Sequence, residues 1–392
     1  MKKEDVEKYY RFELDEESCS FLKDYPASHG EKPLISEEEM KKAEELLLPD
    51  GFPPECFDFI RRENEKIFAD KGLNRAARFL RYMLFEKREA WQNSLSSATE
   101  LFATDTLMPK GAALLMVIAC AGYSYLGGRI LLDGVNARGL HSTVRFTKEC
   151  HEKEGYWGMD QWRWNLLEAD GSLYRFNTLN FQPNKFNHNF MVLFNGKEYV
   201  SIIKEKHFIA QNGALTAEGK PYAVESTFAE TAKSWIAHRI LDNGYAELIP
   251  REFSKSEWQV ALQKGDIVLG YHIPANTEYT PEQHRISMNE ALDFFRTHHP
   301  EHHIKGMICT SWLYSPQNVD LFPADSKILA MERCVHLIGL PNLLSEKLMF
   351  LREGSSLHRR VVDYLQGGHE WHNGYCYVPY EQAVNFGEWT HE

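Results

Sequence analysis

No Cys-x-x-Cys pair occurs in the 392 residues, and the seven cysteines are odd in number and widely scattered. That spacing excludes a zinc knuckle and argues against a disulfide framework, so a reducing cytoplasm is the expected compartment. The opening residues, MKKEDVEKYYRFELDEE, lack the apolar stretch of a signal peptide. The most apolar run, AALLMVIACAGYSYL at 112–126, carries Ser, Gly and two Tyr. It is shorter than the roughly 18 residues a membrane span needs, so it reads as a buried helix and no membrane partner is expected. There is no P-loop, no dinucleotide fingerprint and no G-x-S-x-G nucleophile elbow. A basic excess is also missing. The net charge is −12, of which residues 1–70 contribute −9 and the remaining residues only −3. Nucleic acid is therefore not an expected partner.

What is present is a real core. Hydrophobic residues make up 43% of the chain and aromatics 13%, which excludes disorder. The length favours two domains. From residue 36 the pattern is helical. SEEEMKKAEELLL opens with Ser36 and has Glu39 three positions on, a capping box. PPECFDFIRRENEKIFADKG begins on prolines and is expected to stop at Gly72. NRAARFLRYMLFEKREAW carries an apolar stripe (Phe79, Leu80, Met83, Leu84) and an arginine stripe (Arg75, Arg78, Arg81). The arginines read as a face paired with acidic neighbours or as a seat for an anionic partner. Two more helices are expected near 109–125 and 138–153. No strand is expected before about residue 155.

Beyond that point the texture becomes mixed. In QWRWNLLEADGSLYRFNTLNFQ, Asp170-Gly171 lies between two aromatic-rich runs, a hairpin signal, although Trp162, Leu166 and Leu167 also share a helical face. Asn195-Gly196 marks a second hairpin. Strands are expected over 267–273 and 304–312, in SKILAMERCVHLIG and EKLMFLRE, and at GYCYVPY. Helices are expected over 281–298 and in SSLHRRVVDYLQGG. The expected fold is α+β: an all-helical domain over 1–157, then a mixed-sheet domain over 158–392.

The segment YHIPANTEYTPEQHRISMNEALDFF, 271–295, leads from a strand into a well-marked helix. Pro274 ends pairing because it has no N–H to give a ladder. Thr280 is a good N-cap, Pro281 suits the first helical position, and Gln283 completes a capping box. Ligands favour the carboxyl ends of strands in open α/β sheets, and helix N-termini attract anions. His284 and Arg285 could meet such an anion, though Glu278 and Glu282 oppose it and the loop has no glycine.

These residues carry a resemblance. HIP at 272–274 with TPE…S…A.DFF behind it, CTSWLYSP at 309–316, ADSKI at 324–328, SSLHRRVVDYLQGG at 355–368 and SLYRFNTLNFQ at 172–182 occur in an order similar to a bacterial acyltransferase-like family. Its members join a helical N-terminal domain to one resembling the GNAT N-acyltransferase fold. The resemblance implies that strands 267–273 and 304–312 are the fourth and fifth of that fold and splay apart to admit acyl-CoA as co-substrate. It also implies transfer of an acyl group to a small-molecule amine. The Q/R-x-x-G-x-G/A loop that holds the pyrophosphate in GNAT enzymes is absent, since no Gln or Arg has a glycine three residues later.

Within that frame His272 is the candidate general base, or else a histidine bonded to a loop carbonyl that shapes the Pro274 turn. Tyr314 is the candidate acid toward the leaving thiolate. Cys309 and Ser311, two apart on one strand, face the same side. Cys309 reads as an inert core thiol or as a nucleophile with His272 as base, which would make the protein a thiol hydrolase. Thr280, His284, Arg285 and Trp312 are the candidate cofactor contacts. A catalytically silent ligand-binding protein is the other alternative. The histidines of HHPEHH, 298–303, read as an exposed turn, and no metal is expected.

Overall fold

The computed structural model describes residues 2–10, 13–25, 31–87, 120–122, 141–159, 162–169, 171–274, 277–343, 351 and 353–391. Contacts divide the chain into two compact units, 1–174 and 175–392.

The first unit is helical where described: Lys3–Glu7, Glu16–Asp24, Glu37–Leu47, Pro54–Ala69, Lys71–Phe85, His141–Glu154 and Trp162–Ala169. The Ser36/Glu39 capping box forms, with Ser36 N–H donating to Glu39 Oε2 at 2.8 Å and Glu39 N–H to Ser36 Oγ at 3.3 Å. The helix that starts at Pro54 ends at Ala69 rather than at Gly72. Asp70 stops it by capping the next helix, its carboxylate accepting from the N–H groups of Gly72 and Leu73. The apolar stripe of Lys71–Phe85 is buried, and the arginine stripe is largely spent within the unit. Arg78 donates to the Pro33 carbonyl, and Arg81 donates to the Leu34 carbonyl and pairs with Glu39. The expected helix at 109–125 lies outside the described residues except for the helical 120–122.

Trp162–Ala169 is a helix, not the first arm of a hairpin at Asp170-Gly171. Asn165, Leu166, Glu168 and Ala169 are buried, and Glu168 Oε2 accepts from Thr143 N–H at 3.1 Å and Thr143 Oγ at 2.7 Å. Docking on the neighbouring helix decides between two periodicities that the short window leaves equal.

The second unit is built on a six-stranded sheet with spatial order Tyr174–Phe176, Leu179–Lys185, Ile267–His272, Gly306–Ser311, His372–Pro379, His336–Leu343. Three smaller sheets hold the strands between residues 190 and 262. Phe190–Phe194 and Tyr199–Ile203 form the hairpin around Asn195-Gly196, with Gly196 at φ +90°. Between the hairpin and residue 255 the chain forms two- to four-residue strands too short to carry an alternating pattern. Within SKILAMERCVHLIG, Lys327–Glu332 is helical and only His336–Leu343 is a strand. EKLMFLRE lies largely outside the described residues.

The helix Pro281–His298 covers one face of the sheet. Met288, Ala291, Leu292 and Phe295 are buried at i, i+3, i+4, i+7. Thr280 caps it through Gln283 N–H at 3.4 Å. Gln283 does not close the box. Its side-chain carbonyl instead accepts from Asn177 at 2.8 Å, tying the helix to the turn before Leu179–Lys185. Ser355 caps the helix Ser356–Gln366, which ends at Gly367-Gly368 as expected.

Candidate functional site

The site begins as an irregularity in the ladder. Ile267–His272 pairs with Leu179–Lys185 at every residue from 267 to 272, and Gly306–Ser311 pairs with His372–Pro379 at every residue from 306 to 311. Between these two ladders the parallel pair is short. Only Leu269↔Met307 and Gly270↔Ile308 are in register, preceded by Lys305 N–H donating to the Ile267 carbonyl at 2.9 Å. Past Gly270 the two strands separate, before Pro274 would break the pairing.

Residues across a ladder share a face and alternate along each strand. The register therefore sorts the residues around the gap. Phe181, Tyr271, Cys309 and Cys376 lie on the face that Pro281–His298 covers, while Asn180, His272, Thr310 and Tyr375 lie on the other.

The helix-covered face is closed. Tyr271 Oη lies 2.5 Å from Tyr314 Oη and 3.1 Å from Cys376 Sγ, and all three residues are fully buried. Burial pushes both tyrosines well above the ordinary phenol range. Tyr314 reaches this spot because Ser311 caps the Trp312–Tyr314 turn, accepting from Leu313 N–H at 3.2 Å. The turn lies directly on His372–Pro379. A Cβ at Gly374 would meet the Tyr314 carbonyl oxygen at 1.6 Å, so only glycine fits there.

The same face takes in His284. Its ring is fully buried, with Nδ1–H donating to the Thr280 carbonyl at 3.0 Å and the rings of Tyr271, Tyr279 and Phe386 around it. Burial lowers its pKa to about 4. A neutral, enclosed imidazole gives no charge to an anion, so His284 is not the phosphate contact expected from its place in the first helical turn. Arg285 is half-exposed. Thr280 serves as the cap described above.

The opposite face is mostly apolar, with Val268, Ile308 and Tyr375 in one buried cluster with Phe186 and Phe190, and it becomes polar and less enclosed at His272 and Thr310. His272 is half-buried with Nε2 shielded from solvent, and burial lowers its pKa to about 4. Beside it Asn180 is 1% exposed, and neither atom of its amide finds a hydrogen-bond partner. Across the gap Thr310 is exposed and Tyr375 is buried with its hydroxyl unbonded. Buried amides and hydroxyls are nearly always paired, because leaving one unmade costs about 1–3 kcal/mol. Each lies one strand beyond the gap, Asn180 opposite His272 and Tyr375 opposite Thr310.

The candidate residues are thus divided by the sheet. Cys309 faces away from His272, and burial holds its thiol well above the ordinary range, so neither geometry nor ionisation supports a Cys309–His272 dyad. Tyr314, too, is on the side away from His272, its hydroxyl held by Tyr271. Trp312 packs on Trp371, rings 5.7 Å apart, in a separate apolar cluster. Asn180 and Tyr375 were missed. The signal for Asn180 was the alternation Asn180, Gln182, Asn184, three amides on one face of a strand.

Residues 173–378 match the family of GNAT-like C-terminal domains. The chain belongs to that family. Among solved structures, an acyltransferase mutant in complex with octanoyl-CoA is 18% identical with a TM-score of 0.60, over 97% of this chain and 99% of that one. An acyltransferase in complex with decanoyl-CoA and teicoplanin is 17% identical with a TM-score of 0.58, over 93% of this chain and 96% of that one. The same coverage, at 18% identity and a TM-score of 0.54, holds for an acyltransferase with CoA and 10C-teicoplanin. Comparison with curated proteins gives no match. At these identities the likeness is one of fold. Among the described residues no helix is long and apolar enough to cross a membrane.

Proposed function

We propose that the protein is an N-acyltransferase that moves an acyl group from an acyl-CoA to an amine. The observation that carries this reading is the parting of the parallel strands after Gly270, between two complete ladders, with His272 at the edge of the gap and the unsatisfied Asn180 amide one strand beyond it. The thioester enters on the His272 face, because the other is filled by Tyr271 and Tyr314. The family match and the acyl-CoA complexes of its structural neighbours support the same choice of donor.

Chemically, the amine nitrogen attacks the thioester carbonyl, the N–C bond forms, and the C–S bond breaks. His272, neutral at physiological pH because burial disfavours its cation, takes the proton from the attacking nitrogen. With a pKa of about 4 it does not keep it. The departing thiolate, whose thiol is an acid of pKa about 8.5, collects the proton and leaves as free CoA. One residue suffices for both transfers, so no role as acid is required of Tyr314.

Calorimetry with acetyl-, octanoyl- and decanoyl-CoA tests the donor, and release of free thiol on adding an amine panel tests the reaction. Binding is expected to be strongest for the medium-chain thioesters. Absence of heat with every thioester overturns the proposal. A second reading, a silent GNAT-like binder, is favoured by the missing pyrophosphate loop. It predicts no heat with any acyl-CoA and no thiol release with any amine.

A further inference from the structure

The end of the GNAT-like unit away from any role in the proposed reaction carries three metal-ligating side chains that converge from distant parts of the sequence. Asp242 sits in the turn after Arg239–Ile240, His336 opens the edge strand of the main sheet, and His391 follows the last helix, Tyr380–Val384. One ligand atom from each lies within 4.8 Å of the others.

We propose that Asp242, His336 and His391 form a binding site for a first-row divalent cation, with zinc the best match. The donor set, two imidazoles and one carboxylate, is one that zinc uses with three protein ligands and an open fourth position. His391 Nδ1 and Asp242 Oδ2 are 3.3 Å apart. That is close to the edge of a tetrahedron with bonds of 2.0–2.1 Å, about 3.4 Å. The separations to His336 stay within 4.8 Å, so completing the face asks of it a shift of at most about 1.4 Å.

Two further features go beyond proximity. His336 is 5% exposed, and its Nε2 lies 2.9 Å from the side-chain oxygen of Gln382. Because that oxygen accepts, Nε2 carries the proton and the ligating lone pair is left on Nδ1. An outer hydrogen bond that fixes a histidine's tautomer in this way is the usual support of a metal ligand. His391 is enclosed as well, its side chain 13% exposed and set edge-on to Trp389, with Nε2 buried and unbonded. Asp242 and His391 also line a cavity of 280 Å³, which leaves space for water as the fourth ligand. A metal there would join three segments that secondary structure leaves separate: the turn at 242, the edge strand and the C-terminal segment.

The test must remove a competing surface group. His299, Glu301 and His302 also lie within ligand distance of one another, but on an exposed turn. The full chain carrying His299→Ala and His302→Ala is stripped with EDTA and titrated with Co²⁺, followed by visible absorption, and with Zn²⁺ by calorimetry. One equivalent of either ion is expected to bind, and Zn²⁺ is expected to raise the melting temperature. His391→Ala and Asp242→Asn, each at a residue less buried than His336 and so less apt to unfold the domain, should weaken binding by at least about tenfold and abolish the thermal shift. Failure of the parent to bind an equivalent of either ion overturns the proposal, and so does binding that His391→Ala leaves unchanged.

Discussion

The buried imidazole of His284 makes a prediction whose size follows from its surroundings. The ring is fully enclosed by Tyr271, Tyr279 and Phe386, with one hydrogen bond from Nδ1–H to the Thr280 carbonyl. Protonating Nε2 would place a charge there with no acceptor, which is why its pKa falls to about 4 from an ordinary 6.5. The unfolded chain therefore binds this proton first as the pH drops. Stability contributed by the neutral ring is complete above pH 6.5 and is lost as the pH falls toward and below 4. At about 1.36 kcal/mol per pKa unit, the loss is about 2 kcal/mol by pH 5 and about 3 kcal/mol by pH 4. Urea unfolding of the parent and of His284→Gln at pH 7 and pH 5, with EDTA present, measures it. His272, His188 and His207 are lowered by burial too, but they titrate in both proteins and cancel in the difference. The parent should lose about 2 kcal/mol more than the variant between the two pH values. If the two lose the same amount within about 0.5 kcal/mol, the account of His284 as a neutral structural group is wrong.

Other expectations follow from single contacts. Gly374→Ala should destabilise the GNAT-like unit by about 3 kcal/mol or more, because the added methyl meets backbone at 1.6 Å rather than a side chain that can turn aside; thermal melts check it. His272→Ala should lower kcat by about a hundredfold or more while leaving the dissociation constant for acyl-CoA within a few-fold, and equal losses in both would deny it the role of base. Cys309 should be among the slowest cysteines to react with iodoacetamide at pH 7.5, and half-buried Cys19 among the fastest, as read by peptide mass spectrometry.

Much of the architecture was legible because it rests on local rules. Ser36 with Glu39, Thr280 with Pro281, and Ser355 with Gly367-Gly368 mark helix ends by chemistry contained within a few residues, and the structure keeps each of those ends. Asn195-Gly196 specifies its turn in the same way. The errors fall where a local signal met a distant competitor. Gly72 reads as a helix stop, but Asp70 takes the capping position first. Gln283 reads as half of a capping box, but Asn177, more than a hundred residues earlier, claims its side chain. Trp162–Ala169 satisfies two periodicities, and only the helix beside it selects one.

The candidate site shows the same division more sharply. The sequence alone set which residues could do chemistry near the end of a strand, and it placed His272, Cys309 and Tyr314 within reach of one junction. It could not say which side of the sheet each would occupy relative to the others. That depends on how two strands, separated by a helix, come into register. The pairing of Gly270 with Ile308 puts His272 on one side and Cys309 on the other, and a shift of a single residue would bring both to the same side. Convergence across long separations was equally hidden: Asp242, His336 and His391 share no motif, and their meeting is a property of the folded chain, in which the edge strand, a turn and the C-terminal segment are brought to one point. Short-range hydrogen bonding and periodicity are written in neighbouring residues; register and long-range encounter are set by packing, and only the tertiary structure decides them.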